Sequence, residues 1–269
     1  MKLNEKQLQD FQKKFGNILN ERDIITDHDT IAPHLVDWVG NISGSSALML
    51  TPRDSEQVSK ILRLCNEETI AVVPQGGNTG SVASGIPNGE IILSLEKMNN
   101  IISIIPEDYS ITVESGCILS QVQDAAHEAS RFFPLSIGSE GSCTIGGNIS
   151  TNAGGISVLK YGNMRDLVLG LEVVLADGRI MNNLKRLRKD NSGYATKHMF
   201  MGAEGTLGVI TAACLRLFPK IENKVTAFAS LSNLDATIQL LETLKSFSGE
   251  LLSSYAVSYT HLRAHETTN

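Results

Sequence analysis

The stretch Val72-Val-Pro-Gln-Gly-Gly-Asn-Thr-Gly-Ser-Val82 ends an apolar run in Pro74 and then carries almost no side chain. Backbone this bare after a strand lets another group approach its N–H donors. A second stretch, Pro134 to Gly155, holds one charge, Glu140, among glycines, hydroxyls, amides and embedded apolar residues. It is too long for a simple connection and too poor in charge for disorder. Convergent backbone donors of this kind hold phosphate without a formal positive charge, so the chemistry suits a pyrophosphate and a sugar. The competing reading is a tightly packed glycine-rich core loop, and alone the second stretch divides evenly between the two. A third stretch, Gly202-Ala-Glu-Gly-Thr-Leu-Gly-Val-Ile-Thr211, turns at Gly205 and carries one carboxylate, Glu204. Glu204 is either an ordinary turn residue or a hydrogen-bond partner for a neighbouring loop or a ribose. The chain has no Gly-Lys-Ser/Thr and no G-x-G-x-x-G, which argues against an NTPase phosphate loop and a nicotinamide fingerprint. Two glycine-rich loops, each after its own αβ unit, suggest a long diphosphate cofactor held between two subdomains.

Other chemistry-bearing residues read as structural. Cys65, Cys117, Cys143 and Cys214 form no C-x-x-C pair and read as small core residues in a reducing compartment. His127 reads as a surface residue of a helix, His28 and His34 have no visible partner, and His198 reads as structural. No H-x-x-H or similar cluster occurs up to Leu252, so no metal site is expected. The 269 residues are 42% hydrophobic and 19% charged with a formal net charge of −6. That is enough for a sizeable core and a second subdomain, and it gives no electrostatic reason to expect nucleic acid. The basic run Lys185-Arg186-Leu187-Arg188-Lys189 is broken by a leucine and followed by Asp190, as in a solvated loop. The N-terminus lacks the apolar region of a secretory signal, and no run approaches the ~20 apolar residues of a membrane span. A soluble, cytoplasmic protein is expected.

The elements that must position the three loops follow from periodicity. Residues 5–19 space Leu8, Phe11, Phe15, Ile18 and Leu19 as one face of an opening helix. Asp54 precedes Gln57 by three, a capping-box spacing, before a helix burying Val58, Ile61, Leu62 and Cys65. Ile70–Val73, Ile91–Leu95 and Ile101–Ile105 read as strands, so one unit runs strand, helix, strand, loop, strand. A second unit has a strand at Ser110–Glu114, a small-residue helix over 119–130 and a long loop region from Phe132 to Gly162. A hairpin turning at Asp177-Gly178, a last strand Val209–Leu217 closed by Pro219, and an amphipathic helix over 232–247 complete the reading. The class is α+β with two subdomains.

Four motifs in order carry a resemblance: P-Q-G-G-N-T-G from Pro74, G-S-x-x-I-G-G-N-x-x-T-N-A-G-G from Gly141, K-D-N-S-G-Y from Lys189 and G-A-E-G-T-L-G-V-I-T from Gly202. Over roughly residues 35–252 the chain resembles the FAD-binding half of vanillyl-alcohol-oxidase, or PCMH-type, flavoproteins. Within them it is most similar to the D-2-hydroxyglutarate dehydrogenases and their D-lactate and glycolate relatives. Leu187–Tyr194 and Val36-Asp37-Trp38 favour the 2-hydroxyglutarate branch, whereas Ser136 stands where that branch often has an acidic residue. The resemblance implies FAD between two subdomains. Pro74, Gly76, Gly77, Asn78, Thr79 and Gly80 would meet the pyrophosphate. Pro134, Gly138, Gly141, Ser142, Thr144, Ile145, Gly146 and Asn148 would begin the wrap around the diphosphate and ribityl chain. Thr151, Asn152, Gly154 and Gly155 would continue it to one face of the flavin. Glu204, Gly205, Gly208, Val209 and Ile210 would line the adenosine side. Tyr161 and Tyr194 either face the isoalloxazine or pack elsewhere, and Arg188 and Lys189 either balance charge at the pyrimidine ring or are solvated. Relatives that tether FAD do so through His or Cys, and the matching loop here has Asn78 and Thr79, so FAD is expected to be non-covalent.

The implied activity is oxidation of a D-2-hydroxy acid to the 2-oxo acid, by hydride transfer from C2 to the flavin. A separate electron acceptor would follow, and the full-length protein is expected to be a homodimer. The alternatives are a D-lactate or glycolate oxidase subunit, or a non-catalytic FAD-binding fragment. The expected division is an N-terminal segment 1–40, an FAD-binding domain 41–221 (subdomains 41–105 and 106–221), and the start of a substrate or cap domain at 222–253. Catalytic residues are unassigned, because the substrate domain would supply them. Residues 254–269 do not resemble the family and read as a non-native tail resembling a translated sequencing adapter. His261, His265 and Glu266 there have helical metal-ligand spacing, and that string is read as no metal site.

Overall fold

The computed structural model describes residues 5–258. The expectation on His261, His265 and Glu266 lies outside the described residues. Mixed helix and sheet form two main sheets, as expected for the α+β class. The opening helix α1 (Glu5–Phe15) is shorter than its periodicity suggested, because Gly16 follows Phe15. Phe11, Phe15 and Leu19 are nevertheless all buried. Strand β1 (Ile24–Ile25) and the turn α2 (His28–Ile31) lead to β2 (Met49–Leu50), helix α3 (Ser55–Glu67), β3 (Val72–Gln75) and β4 (Ile91–Ser94). The first sheet has the order β1-β2-β4-β3, with β2, β4 and β3 parallel. Parallel strands need a crossover and are covered on both faces. Helix α3 is that crossover between β2 and β3, and Leu48, Leu50, Ile91 and Leu93 are fully buried in its core. Asp54 caps α3 by accepting from the Gln57 N–H at 2.8 Å, and the Gln57 side chain accepts from the Arg53 N–H at 2.8 Å.

Strand β3 begins at Val72, two residues later than periodicity suggested, and runs through Pro74 to Gln75. Ile101–Ile105, read as closing the first unit, forms β5 and pairs with β6 (Ser110–Glu114) in the second sheet. Helix α4 (Leu119–Glu128) follows, then β7 (Arg131–Phe132). The expected long loop contains helix α5 (Ile145–Ser150) and the turn α6 (Val158–Tyr161). Two glycines hid α5 from a propensity reading. It forms because Ile145 and Ile149 are buried and Thr144 accepts a cap hydrogen bond from the Gly147 N–H. Helix α7 (Met164–Leu167), β8 (Val168–Val174), β9 (Ile180–Asn183), α8 (Lys197–Phe200) and β10 (Val209–Arg216) complete the second unit. Its five antiparallel strands run β5-β6-β10-β8-β9, and β11 (Phe218–Pro219) pairs with β7. The Asp177-Gly178 turn joins β8 to β9 as expected, with Gly178 at φ +83°. Its tip accepts a hydrogen bond from Ser59 of α3, and Val174 and Val209 enter the first core, so the two sheets share packing.

Asp23 is fully buried between Arg53, with two 3.1 Å contacts, and Lys97 at 2.7 Å. Burial opposes its ionisation, but the hydrogen bonds from Arg53 and Lys97 outweigh burial and hold its pKa down to about 2. All four cysteines are buried and free. Burial pushes the thiols of Cys65 and Cys117 up to about 12, which leaves them unreactive. Helix α9 (Leu234–Ser248), capped by Asn233, matches the expected last helix, but Leu234, Ile238 and Phe247 on it are exposed.

Candidate functional site

The end of β3 delivers the first glycine loop, residues 76–85. Gln75, the last strand residue, is buried and pins both ends of that loop. Its amide donates to the carbonyls of His34 at 2.9 Å and Gly85 at 2.8 Å, while its oxygen pairs with His34 Nδ1 at 2.5 Å. Asn78 donates to the Val36 carbonyl at 2.8 Å. His34, expected to lack a partner, is therefore a brace for the loop. Asn78 and Ala83 adopt the left-handed conformation at φ +50° and +57°. Only surrounding contacts hold non-glycine residues there.

The glycines of this loop do two different jobs. A Cβ on Gly76 would lie 2.2 Å from Thr144 Oγ1, and one on Gly77 would lie 2.0 Å from the Ser142 carbonyl. These two are bare so that the first loop can close on the second. A Cβ on Gly80 would meet nothing within 4 Å. The third loop closes the same way, since a Cβ on Gly205 would come within 2.5 Å of Pro74. It docks on α5 through the Gly202 N–H to Ile149 and the Glu204 N–H to Ser150, at 3.2 and 2.9 Å.

The three loops enclose a cleft of about 620 Å³, within the size range of small-molecule sites. The whole of Pro74–Gly85 lines it, including Gly76, Gly77, Asn78, Thr79 and Gly80. From the second stretch come Thr144, Gly146, Asn148, Thr151 and Gly154, and from the third Glu204, Gly205, Gly208, Val209 and Ile210. Glu204 is the one charged residue in the lining. Among the described residues, none accepts a hydrogen bond from the backbone N–H groups of Gly76 to Gly85. The cleft thus has a row of free donors and no cationic side chain. Such an arrangement can take a phosphate oxygen through main-chain N–H alone.

Other expected residues lie elsewhere. Pro134 and Ile145 are buried in packing. Gly138 and Gly141 stand in open space, and Gly155 is bare because a Cβ would strike the Ser136 carbonyl at 1.9 Å. The Ser142 carbonyl lies against the bare Cα of Gly77 without a hydrogen bond, and Asn152 accepts from the Arg165 N–H at 2.9 Å. Tyr161 sits edge-on between Phe218 at 4.7 Å and Phe132 at 5.9 Å, and Tyr194 is 94% exposed. Neither tyrosine lines the cleft. Arg188 and Lys189 are exposed, and Asp190 is held by Lys185 at 2.5 Å and by Ser192. Sequence reasoning missed Gln75, Leu95, Ser115, Ile137, Ser139 and Gly147 in the lining. Gly147 was within reach as the second glycine of I-G-G-N. Ser115 and Leu95 follow strands of different sheets, and only the tertiary fold brings them together. Among the described residues, no group of three His, Cys, Asp or Glu side chains is placed to hold a metal.

Comparison with known proteins agrees with this geometry. A family described as FAD binding domain matches residues 46–183. The chain is 45% identical over 233 residues to the mitochondrial D-2-hydroxyglutarate dehydrogenase of Bos taurus, covering 86% of this chain and 43% of that protein. It is 42% identical over 248 residues to a probable mitochondrial D-2-hydroxyglutarate dehydrogenase of Oryza sativa subsp. indica, covering 92% and 44%. The chain thus spans under half the length of these curated relatives. Both are named as mitochondrial, which overturns the expectation of a cytoplasmic protein. A crystal structure of p-cresol methylhydroxylase with substrate bound superposes with a TM-score of 0.73 at 23% identity, covering 91% of this chain and 50% of that one. That likeness establishes the PCMH-type fold, and no described helix is long and apolar enough to cross a membrane. The chain belongs to the FAD binding domain family, and its cofactor is FAD.

Proposed function

We propose that the cleft between the two sheets holds FAD without a covalent link, as the cofactor half of a mitochondrial D-2-hydroxy acid dehydrogenase acting on a 2-hydroxyglutarate-like substrate. The observation that carries this reading is the row of free N–H groups from Gly76 to Gly85 on a cleft without a cationic side chain. Those donors would take the pyrophosphate, which neutral backbone can bind in a partly buried site. Thr144, Gly146, Asn148 and Thr151 would form the opposite wall, with Glu204 accepting from a sugar hydroxyl and Gly208 to Ile210 flanking the adenosine. Cys143, the one cysteine in the lining, accepts from Asn148 at 3.5 Å and is buried, which supports non-covalent binding. Bound FAD would supply the acceptor for a hydride taken from C2 of the 2-hydroxy acid.

The names of the relatives support the substrate class. In this reading, residues 41–221 form the FAD-binding domain; the expected division into 41–105 and 106–221 shifts to between Ser94 and Ile101, because Ile101–Ile105 pairs with β6 of the second sheet. The segment 222–253 begins a substrate domain, and the residues that grip the acid would come from that domain. The full-length protein would pass electrons to a separate acceptor and act as a homodimer. The test is to purify the chain and record flavin absorbance after gel filtration. Retained flavin at about one per chain is expected. Folded protein without flavin, even after incubation with FAD, would contradict the reading. Bleaching by D-2-hydroxyglutarate in preference to D-lactate, measured on a protein spanning the full length of the relatives, tests the substrate.

A further inference from the structure

Ser115 follows β6 at the floor of the cleft and is 1% exposed. Its backbone is saturated, because its N–H donates to the Thr211 carbonyl at 2.9 Å and its carbonyl accepts from the Gly146 N–H at 2.7 Å. Its hydroxyl has no partner. Two buried side-chain polar atoms among the described residues are in this state, Ser115 Oγ and Arg216 Nε, and of the two residues only Ser115 lines the cleft. A buried hydroxyl without a partner is costly, and alanine would fit the same backbone without that cost. No side chain at 146 can satisfy it either, since a Cβ on Gly146 would lie 2.7 Å from Ser115 Cβ. Strand β6, helix α5 and strand β10 therefore converge on a residue whose one free hydrogen-bonding group belongs to the cleft.

We infer that the Ser115 hydroxyl is a cofactor-contacting group, left unpaired by the protein and satisfied by a polar atom of FAD when the cleft fills. The inference rests on the FAD reading above and adds a contact that none of the glycine motifs contains. It makes a signed prediction that a packing role would not. In Ser115→Ala the apo protein should melt no lower than wild type, because an unpaired polar group has been removed. Its affinity for FAD should fall roughly 10–100-fold, the loss of one hydrogen bond to a charged or strongly polar partner.

The experiment titrates the 269-residue wild type, Ser115→Ala and Ser115→Cys with FAD by flavin fluorescence, with apo melting temperatures in parallel. Ser115→Cys keeps a similar side chain but donates weakly, so its Kd should fall between the other two. Ser115→Ala binding FAD within twofold of wild type overturns the inference while the FAD reading stands. If Ser115→Ala melts well below wild type, Ser115→Cys decides: weaker binding at wild-type stability supports the contact, and unchanged binding refutes it. A folded wild type that takes no FAD removes both the FAD reading and this inference.

Discussion

The two glycine-rich stretches look alike in composition and do different work. From Ile145 to Asn148 and from Thr151 to Ala153, the second stretch spends its backbone donors on the protein. Ile145 donates to Cys117, Gly146 to Ser115, Asn148 to Thr144, Thr151 to Gly147 and Ala153 to Asn148. The first loop keeps its N–H groups free from Gly76 to Gly85. Glycine richness therefore has two causes in one cleft. At Gly77, Gly146 and Gly155 it permits backbone to lie on backbone. Beyond Gly77 the bare chain leaves its donors unpaired, and in the proposed reading these are the donors that meet the cofactor. A glycine motif alone does not separate the two, and the fate of the N–H groups does.

The largest effect should come from collapsing that distinction at Gly77. Gly77→Ala puts a Cβ 2.0 Å from the Ser142 carbonyl, an overpacking that should destabilise the fold by about 3 kcal/mol. Urea denaturation would show it, and FAD retention should be lost with it. Gln75→Ala comes next. It removes the brace on both loop ends and leaves the part-buried carbonyls of His34 and Gly85 and the His34 ring unpaired, a cost of about 2 kcal/mol. Its FAD affinity should drop by more than the stability loss alone produces, because the free donors would no longer be held in place.

Acid should loosen the first sheet, where Asp23 ties Arg53 after β2 to Lys97 after β4. Asp23 has its pKa lowered from 3.8 to about 2, so its stabilising contribution is complete above about pH 4. That contribution is lost as pH falls through about 2, and amounts to about 2 kcal/mol. The urea midpoint measured from pH 5 to pH 2.5 should fall more steeply in wild type than in Asp23→Asn. Thr144→Ala tests the other side of the comparison, by removing the α5 cap. Its hydrogen bond to the Gly147 N–H is long, at 3.4 Å, so the loss should be about 1 kcal/mol or less. Smallest of all, Gly80→Ala meets nothing within 4 Å and should change stability by no more than about 0.5 kcal/mol.

Much of the scaffold was legible where a local signal agreed with the fold. The Asp54–Gln57 cap and the Val58, Ile61, Leu62, Cys65 stripe located α3, and Asp177-Gly178 located the β8–β9 hairpin. Partner choice was less legible. Ile101–Ile105 is a strand by composition, yet nothing local says which sheet it joins, and it crossed to β6. Helix α5 was hidden by Gly146 and Gly147, whose poor propensity is overridden by burial of Ile145 and Ile149. In the site, the loops themselves were readable as motifs. Tyr161 and Tyr194 were not, since an aromatic residue carries no local mark of what it faces. Ser115 and the His34–Gln75 brace depend on contacts between residues 31 or more positions apart in the chain, Ser115 to Gly146 and His34 to Gln75.

The most direct measurement is residue-resolved amide hydrogen exchange on the chain with and without FAD. The free donors of the first loop should exchange quickly alone and slow on addition of FAD, while the already bonded amides from Ile145 to Asn148 change little. FAD binding with no added protection between Gly76 and Gly85, or with protection confined to the second stretch, would contradict the assignment of the first loop as the wall that holds the cofactor.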